Sequence, residues 1–175
     1  MIIFLMGTVG SGKSTQAGLL SQKLGAHHLN MGGLLREVAD GNNEDAQTVK
    51  NLIEKGEFVS DELVTKLVKE YLEGKDKVVM EGFPRTLAQA SESGIIPDQV
   101  VYINLPDDVS KKRLTARGRI DDTEETIAKR LAIYHKQTEP ILEYYRSEGK
   151  LIEIDGNRTI PEVAQDIARQ VALNV

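Results

Sequence analysis

The apolar run Ile2-Ile3-Phe4-Leu5-Met6 leads without a break into Gly7-Thr8-Val9-Gly10-Ser11-Gly12-Lys13-Ser14, and this junction limits the folds open to the chain more than any other feature. A continuous apolar run is what a strand buried on both faces presents. The eight residues after it fit G-x-x-x-x-G-K-[ST] in full, straight after that strand and straight before a helical spacing at Ala17, Leu20 and Leu24. Glycines let the backbone fold into a nest whose N–H groups point at phosphate oxygens, and the helix that follows adds its positive N-terminal end at the same spot. Gly10, Ser11 and Gly12 would form that cradle, Lys13 would bridge the β- and γ-phosphates, and Ser14 or Thr15 would offer a hydroxyl to magnesium. The plain alternative is an ordinary glycine-rich turn; average residue usage puts a chance match at roughly a few per cent before the setting is required. The loop specifies a nucleoside triphosphate site and leaves the reaction open.

Four more short runs read as strands: His27-His28-Leu29, Val78-Val79-Met80, Val100-Val101-Tyr102-Ile103 and Leu151-Ile152-Glu153-Ile154. Between and after them lie helical spacings at Leu63, Leu67 and Tyr71, at Ile127, Leu131 and Tyr134, and at Ile160, Val163, Ile167 and Val171. Strand and helix alternating in this way predict an α/β, P-loop three-layer fold: a five-stranded parallel sheet flanked by helices on both faces. The 175 residues, 40% hydrophobic, suit one domain spanning 1–175. Gly41-Asn42-Asn43 and Gly74-Lys75-Asp76 are the most loop-like breaks.

Composition excludes several classes. No apolar run approaches the ~20 residues of a membrane helix, and Met1 leads directly into the first strand with no basic segment before it, so neither a membrane nor a secretory leader is expected. Without cysteine there is no disulfide framework, thiolate zinc site or catalytic thiol. The net charge of −5 is mild and not blocky, which makes nucleic acid or an anionic membrane a poor partner. A soluble, cytoplasmic chain is the expectation, and it is taken to be a monomer. His27, His28 and His135 fit no metal or triad spacing, and Tyr144-Tyr145 on a helical pattern suits packing rather than base stacking.

Six blocks follow in order: Thr15-Gln16 closing the loop, Leu29-Asn30-Met31-Gly32-Gly33-Leu34-Leu35-Arg36, Glu54 to Leu63, Glu81-Gly82-Phe83-Pro84-Arg85 with Thr86 to Ala90, Arg113 to Thr126, and Ile154-Asp155-Gly156-Asn157-Arg158. Together they make the chain resemble the adenylate kinase family of nucleoside monophosphate kinases, end to end. The departures are Val9 for the loop's proline, Ser14 for glycine, Asn30 for serine, Met31 for threonine or alanine, Gly33 for aspartate and Glu81 for aspartate.

The resemblance implies a monophosphate-binding segment over 30–60 in which Met31, Arg36, Glu57 and Val59 meet AMP, with Gly82, Arg85 and Gln89 beyond it. Gln89 would hydrogen-bond the adenine edge, and Glu81 would hold Mg²⁺ of Mg·ATP through water. One extra methylene moves that carboxylate by about 1.5 Å, and a plain surface-edge carboxylate is the rival reading of Glu81. The lid would shrink to a loop over 117–122, where only Gly118 separates Arg117 from Arg119, with Arg130 as the next family arginine. Locally, Asp122 with Glu125 reads as a capping box for the helix that follows. Arg158 would lie over the ATP adenine or belong to a plain turn.

Lys13, Arg85, Arg117, Arg119 and Arg130 would then carry the catalysis by charge compensation and in-line positioning, because a monophosphate acceptor is already an oxyanion and needs no strong base. Guanidinium forks suit phosphate oxygens. The leading expectation is ATP + AMP giving two ADP; its rivals are a CMP, UMP or dCMP acceptor, and a regulatory protein that binds ATP without turnover.

Overall fold

The computed structural model describes residues 1–42, 44–54, 59–118 and 122–173. Five parallel strands form its sheet: β1 (Ile2–Gly7), β2 (His27–Asn30), β3 (Val78–Glu81), β4 (Gln99–Asn104) and β5 (Leu151–Asp155). Their spatial order is β2-β3-β1-β4-β5, with β1 central. The two strand neighbours of β1 come from later in the chain, so the chain reverses its direction of travel across the sheet beside β1. That is where open α/β sheets bind ligands, at the carboxyl ends of the strands.

Alternation along β1 divides the core. Ile3 and Leu5 point to the face covered by α1 (Lys13–Leu24) and α9 (Ile160–Leu173), where Ala17, Leu20, Val163, Ile167 and Val171 meet them. Phe4 and Met6 point to the opposite face, against Val64, Leu67 and Val68 of α4 (Asp61–Leu72) and Ile141, Leu142 and Tyr145 of α8 (Glu139–Ser147). Phe4 meets Phe83 and Tyr145 edge-on, at centroid distances of 5.8 and 6.1 Å, so Tyr145 packs as expected. Both faces are covered, as the continuous apolar run requires.

All five predicted strands are present, and each runs past its apolar stretch. β1 gains Gly7, β2 gains Asn30, β3 gains Glu81, β5 gains Asp155, and β4 gains Gln99 and Asn104. Ladder hydrogen bonds are main-chain bonds and tolerate a polar side chain, whereas an apolar pattern stops where the strand leaves the core. The residues so missed at the carboxyl ends are the ones that face the ligand edge.

Two helices, α2 (Met31–Ala39) and α3 (Glu44–Glu54), form an excursion after β2, with the break at Gly41-Asn42 between them. Ser60 caps α4, its hydroxyl accepting from Leu63 N at 3.3 Å. The short α5 (Leu87–Glu92) follows β3, and α6 (Asp107–Arg117) follows β4. α6 packs through Leu114 onto Ile127 and Leu131 of α7 (Glu124–Ile133), with Val9 against them. A π-helical turn, Tyr134–Thr138, joins α7 to α8. The Asp122–Glu125 capping box is corrected: Thr123 is the cap, its hydroxyl accepting from Thr126 N at 3.2 Å, because the Asp122 carboxylate turns inward to arginines.

Candidate active site

At the carboxyl ends of β1 and β3 the molecule opens into a cleft of about 720 Å³, a volume suited to small-molecule ligands. Its floor is the loop between β1 and α1. Gly10 sits at φ +77°, and a Cβ there would stand 3.0 Å from Leu114 Cγ and 3.1 Å from Ser110 O, so α6 closes over the loop only because position 10 has no side chain. Ser110 Oγ in turn donates to Val9 O. Gly12 precedes the first turn of α1, and Lys13, Ser14 and Thr15 follow on the cleft wall. Ser11 is buried within the loop.

Lys13 Nζ donates to Thr8 O at 3.1 Å. Its pKa is pushed down to about 8, first by loss of hydration, with Glu81 opposing and Arg85 and Arg117 adding to the fall. A cation held uncomfortably among other cations is poised for an anion.

Glu81 ends β3 and is only 4% exposed, which rules out the surface-edge reading. Its Oε2 accepts from Ser14 Oγ at 2.6 Å and its Oε1 from Asn30 Nδ2 at 2.5 Å, with His28 Nε2 at 3.6 Å. Burial pushes the carboxyl up, but His28, Ser14 and the Lys13 charge outweigh it and hold it below the usual carboxylate range. Of the two candidate hydroxyls, Ser14 is the one that meets the carboxylate. A buried carboxylate and a hydroxyl beside a phosphate cradle fit Mg²⁺, a hard cation bound through one or two carboxylates plus substrate phosphates.

The cations converge from separate elements. Arg36 reaches the cleft from α2. Arg85 follows β3, its Nε donating to Gly82 O at 2.9 Å. Arg117 ends α6 and Arg130 lies on α7. Asp122, whose side chain has no exposure, accepts two bonds from Arg117 at 2.8 and 2.6 Å and one from Arg130 at 3.4 Å. Arg119 and Glu57 lie outside the described residues.

Four residues expected at the ligands are buried or bonded within the protein in this structure. Gln89 is 5% exposed and its amide is engaged within the protein: Oε1 accepts from Arg85 N at 2.7 Å and Nε2 donates to Asp61 Oδ1 at 2.6 Å. One N–H and one lone pair remain for a base. Met31 is 2% exposed and belongs to the core; a Cβ on Gly82, whose φ is +81°, would stand 3.0 Å from Met31 Cβ. Met31 therefore props the Gly82 turn from beneath. Val59 is likewise a core residue. Arg158 is tied to the turn, its Nε donating to Asp155 O at 3.2 Å and its Nη2 to Asp166 Oδ2 at 2.7 Å, which favours the plain-turn reading.

Sequence reasoning missed Arg113, Tyr134, Gln137 and Thr138 on the cleft wall. Arg113 Nη2 donates to Gly156 O at 2.9 Å, and Thr138 Oγ1 to Arg85 O at 3.3 Å. The helical spacing of Ile127, Leu131 and Tyr134 hid the last three, because the π turn shifts the phase of the helix just there. His135 instead pairs with Asp107 and Glu139 at the surface. A cleft so lined can hold polyphosphate at the loop and a second anion between Arg36 and Arg85.

The chain matches the family model described as Adenylate kinase over residues 5–150. It is 39% identical to the adenylate kinase of Prochlorococcus marinus (strain MIT 9301), with 97% of this chain and 98% of that protein covered. It is 40% identical to adenylate kinase 1 of Synechocystis sp. (strain ATCC 27184 / PCC 6803 / Kazusa), over 97% and 96%. UMP-CMP kinase 1 of Oryza sativa subsp. japonica is 36% identical, with 95% of this chain and 72% of that protein covered.

Proposed function

The chain belongs to the adenylate kinase family, and from that premise we propose that it transfers the γ-phosphoryl group of ATP to AMP, releasing two ADP. The observation that carries this reading is the convergence of Lys13, Arg36, Arg85, Arg117 and Arg130, from five separate stretches of chain, on one cleft in a protein of net charge −5. A protein that only held ATP would not need cations placed beyond the phosphate loop.

The loop amides and Lys13 hold the β- and γ-phosphates in this reading, and Arg36 and Arg85 hold the phosphate of AMP. An oxygen of that phosphate attacks the γ-phosphorus in line. The bond from phosphorus to the β–γ bridging oxygen breaks, its electron pair stays on ADP, and no side chain has to remove a proton. Arg85, Arg117, Arg119 and Arg130 compensate charge on the phosphoryl group as it moves, which supplies the electrostatic part of the rate enhancement. Mg²⁺ bound with ATP would be held by Ser14 or Thr15 and by Glu81, the last through water, and would neutralise the phosphate oxygens.

The segment 30–60 closes over the acceptor within a single domain, and the short lid over 117–122 completes the enclosure. In this reading the protein is a soluble, cytoplasmic monomer whose partners are nucleotides; no helix among the described residues is long and apolar enough to cross a membrane. Adenine is the preferred base, since the free N–H and lone pair of Gln89 match its N1 and N6 edge. A pyrimidine acceptor is the second reading, favoured by the likeness to a rice UMP-CMP kinase. A panel of AMP, CMP, UMP, dCMP and GMP with coupled detection of ADP decides between them: AMP should lead by at least tenfold in kcat/KM. CMP or UMP equal to AMP would promote the pyrimidine reading, and no turnover with any acceptor would end the kinase reading.

A further inference from the structure

Two of the positions where this chain departs from the family pattern, Asn30 and Glu81, are register partners on β2 and β3. Their side chains meet. Asn30 has both ends of its amide engaged: Oδ1 accepts from Gly33 N at 2.7 Å and so caps α2, while Nδ2 donates to Glu81 Oε1 at 2.5 Å. The other Glu81 oxygen accepts from Ser14 Oγ at 2.6 Å. A single side chain thus links the carboxylate beside the phosphate loop to the first turn of the helix that carries Arg36.

The lengths match. A serine at position 30 could cap α2, but its hydroxyl is one bond beyond Cβ and lacks the second arm. An aspartate at 81 would draw the carboxylate back by about 1.5 Å, away from the amide. The longer amide and the longer carboxylate suit each other, and each is poorly matched to the shorter partner. His28 Nε2, at 3.6 Å from Oε1, is the other donor nearby and is too far for a good hydrogen bond.

We infer that Asn30 is a positioning residue for the phosphoryl transfer: through the Asn30–Glu81 contact it aims the Glu81 carboxylate at Ser14 and joins it to the acceptor-binding helix α2. The inference rests on the proposed kinase reading in taking Glu81 as the magnesium-facing carboxylate. Residues that orient such groups typically matter by 10–100-fold when replaced.

The test is a double-mutant cycle with Asn30→Ser, Glu81→Asp and the pair together, plus Asn30→Asp, which keeps the cap on Gly33 N but sets a carboxylate against Glu81. Each variant is measured for the thermal midpoint of the nucleotide-free protein, for equilibrium ATP affinity with and without Mg²⁺, and for kcat and KM with AMP. In Asn30→Ser the midpoint should move little, because the cap survives. The gain in ATP affinity that Mg²⁺ brings should shrink about tenfold, and kcat should fall with it. Glu81→Asp alone should do the same. The double variant should recover to within about threefold of the parent, and Asn30→Asp should be worse than Asn30→Ser. Losses that multiply in the double variant, or an Asn30→Ser protein within twofold of the parent on both readouts, would reduce Asn30 to a helix cap and overturn the inference. If Asn30→Ser melts far below the parent, Asn30→Asp carries the comparison, and a magnesium-dependent gain equal to the parent's would be decisive against. A parent without turnover on any monophosphate would sink the kinase reading, while the binding cycle would still decide the role of Asn30.

Discussion

The donor end and the acceptor end of the cleft are built on different principles. At the donor end, residues 7–15 are contiguous: one strand end, one loop and one helix start supply the cradle, and Gly10, Lys13 and Ser14 owe their places to local backbone geometry. At the acceptor end nothing is contiguous. Arg36 arrives from α2 and Arg85 from the end of β3, while Gln89 on α5 is oriented by Asp61 at the start of α4. A local device withstands change elsewhere in the chain, whereas an assembled one depends on every element that positions it. The donor end should therefore fail all at once when its own residues change, and the acceptor end should degrade by degrees.

The harshest way to break the donor end is Lys13→Ala. Lys13 belongs to none of the apolar core clusters, so the fold should survive by circular dichroism while turnover falls by about 10²–10³, the usual loss for one preorganised charge contact. A folded variant within threefold of the parent would show that the cradle works without its lysine.

The next effect is one of pH. In the free protein Lys13 has a pKa lowered to about 8, below its ordinary 10.5. Below pH 8 it is already charged and ready for phosphate; above pH 8 it is neutral, and a bound triphosphate must draw a proton back onto it. ATP affinity should hold from pH 6.5 to 7.5 and then weaken, by at most about tenfold per pH unit. Calorimetry in buffers of different ionisation heat should show proton uptake on binding at pH 9 and little at pH 7. Equal uptake at both would remove the lysine from the account.

At the acceptor end, Gln89→Ala should erode the preference for AMP over GMP by about three- to tenfold while ATP affinity stays within twofold. The expected size is modest because the amide has one N–H and one lone pair left for a base, worth about 1 kcal/mol net in such a hydrogen bond. A larger fall in ATP affinity than in base preference would place Gln89 in the framework rather than the recognition surface.

Asp61→Asn should have the smallest effect, about threefold, and the most telling direction. A carboxylate can only accept, so Asp61 forces the Gln89 nitrogen toward itself, just as Arg85 N forces the oxygen the other way. An asparagine at 61 can meet either end of the amide, and the discrimination between AMP and GMP should soften while kcat with AMP is nearly kept. No change in the ratio would make the Arg85 N–H sufficient by itself.

The run Ile2 to Met6 and the glycines and lysine that follow determined by themselves the parallel α/β class, the phosphate loop and its orientation, because each of these is a property of consecutive residues: burial on both faces, backbone freedom at glycine, and a helix start at Lys13. The matched blocks likewise pointed to the family and to Arg36, Arg85, Arg117 and Arg130 on the cleft. The tertiary structure alone decided which side chains are free to act. Gln89 is held by Asp61, 28 residues away in the chain; Met31 lies beneath Gly82; Arg158 is captured by Asp166; and Glu81 meets Ser14 and Asn30 across 67 and 51 residues. A carboxylate, an amide and a guanidinium each bond the nearest suitable partner, and the packing of β2 and α1 against β3, of α4 against α5 and of α9 against β5 determines which partner that is.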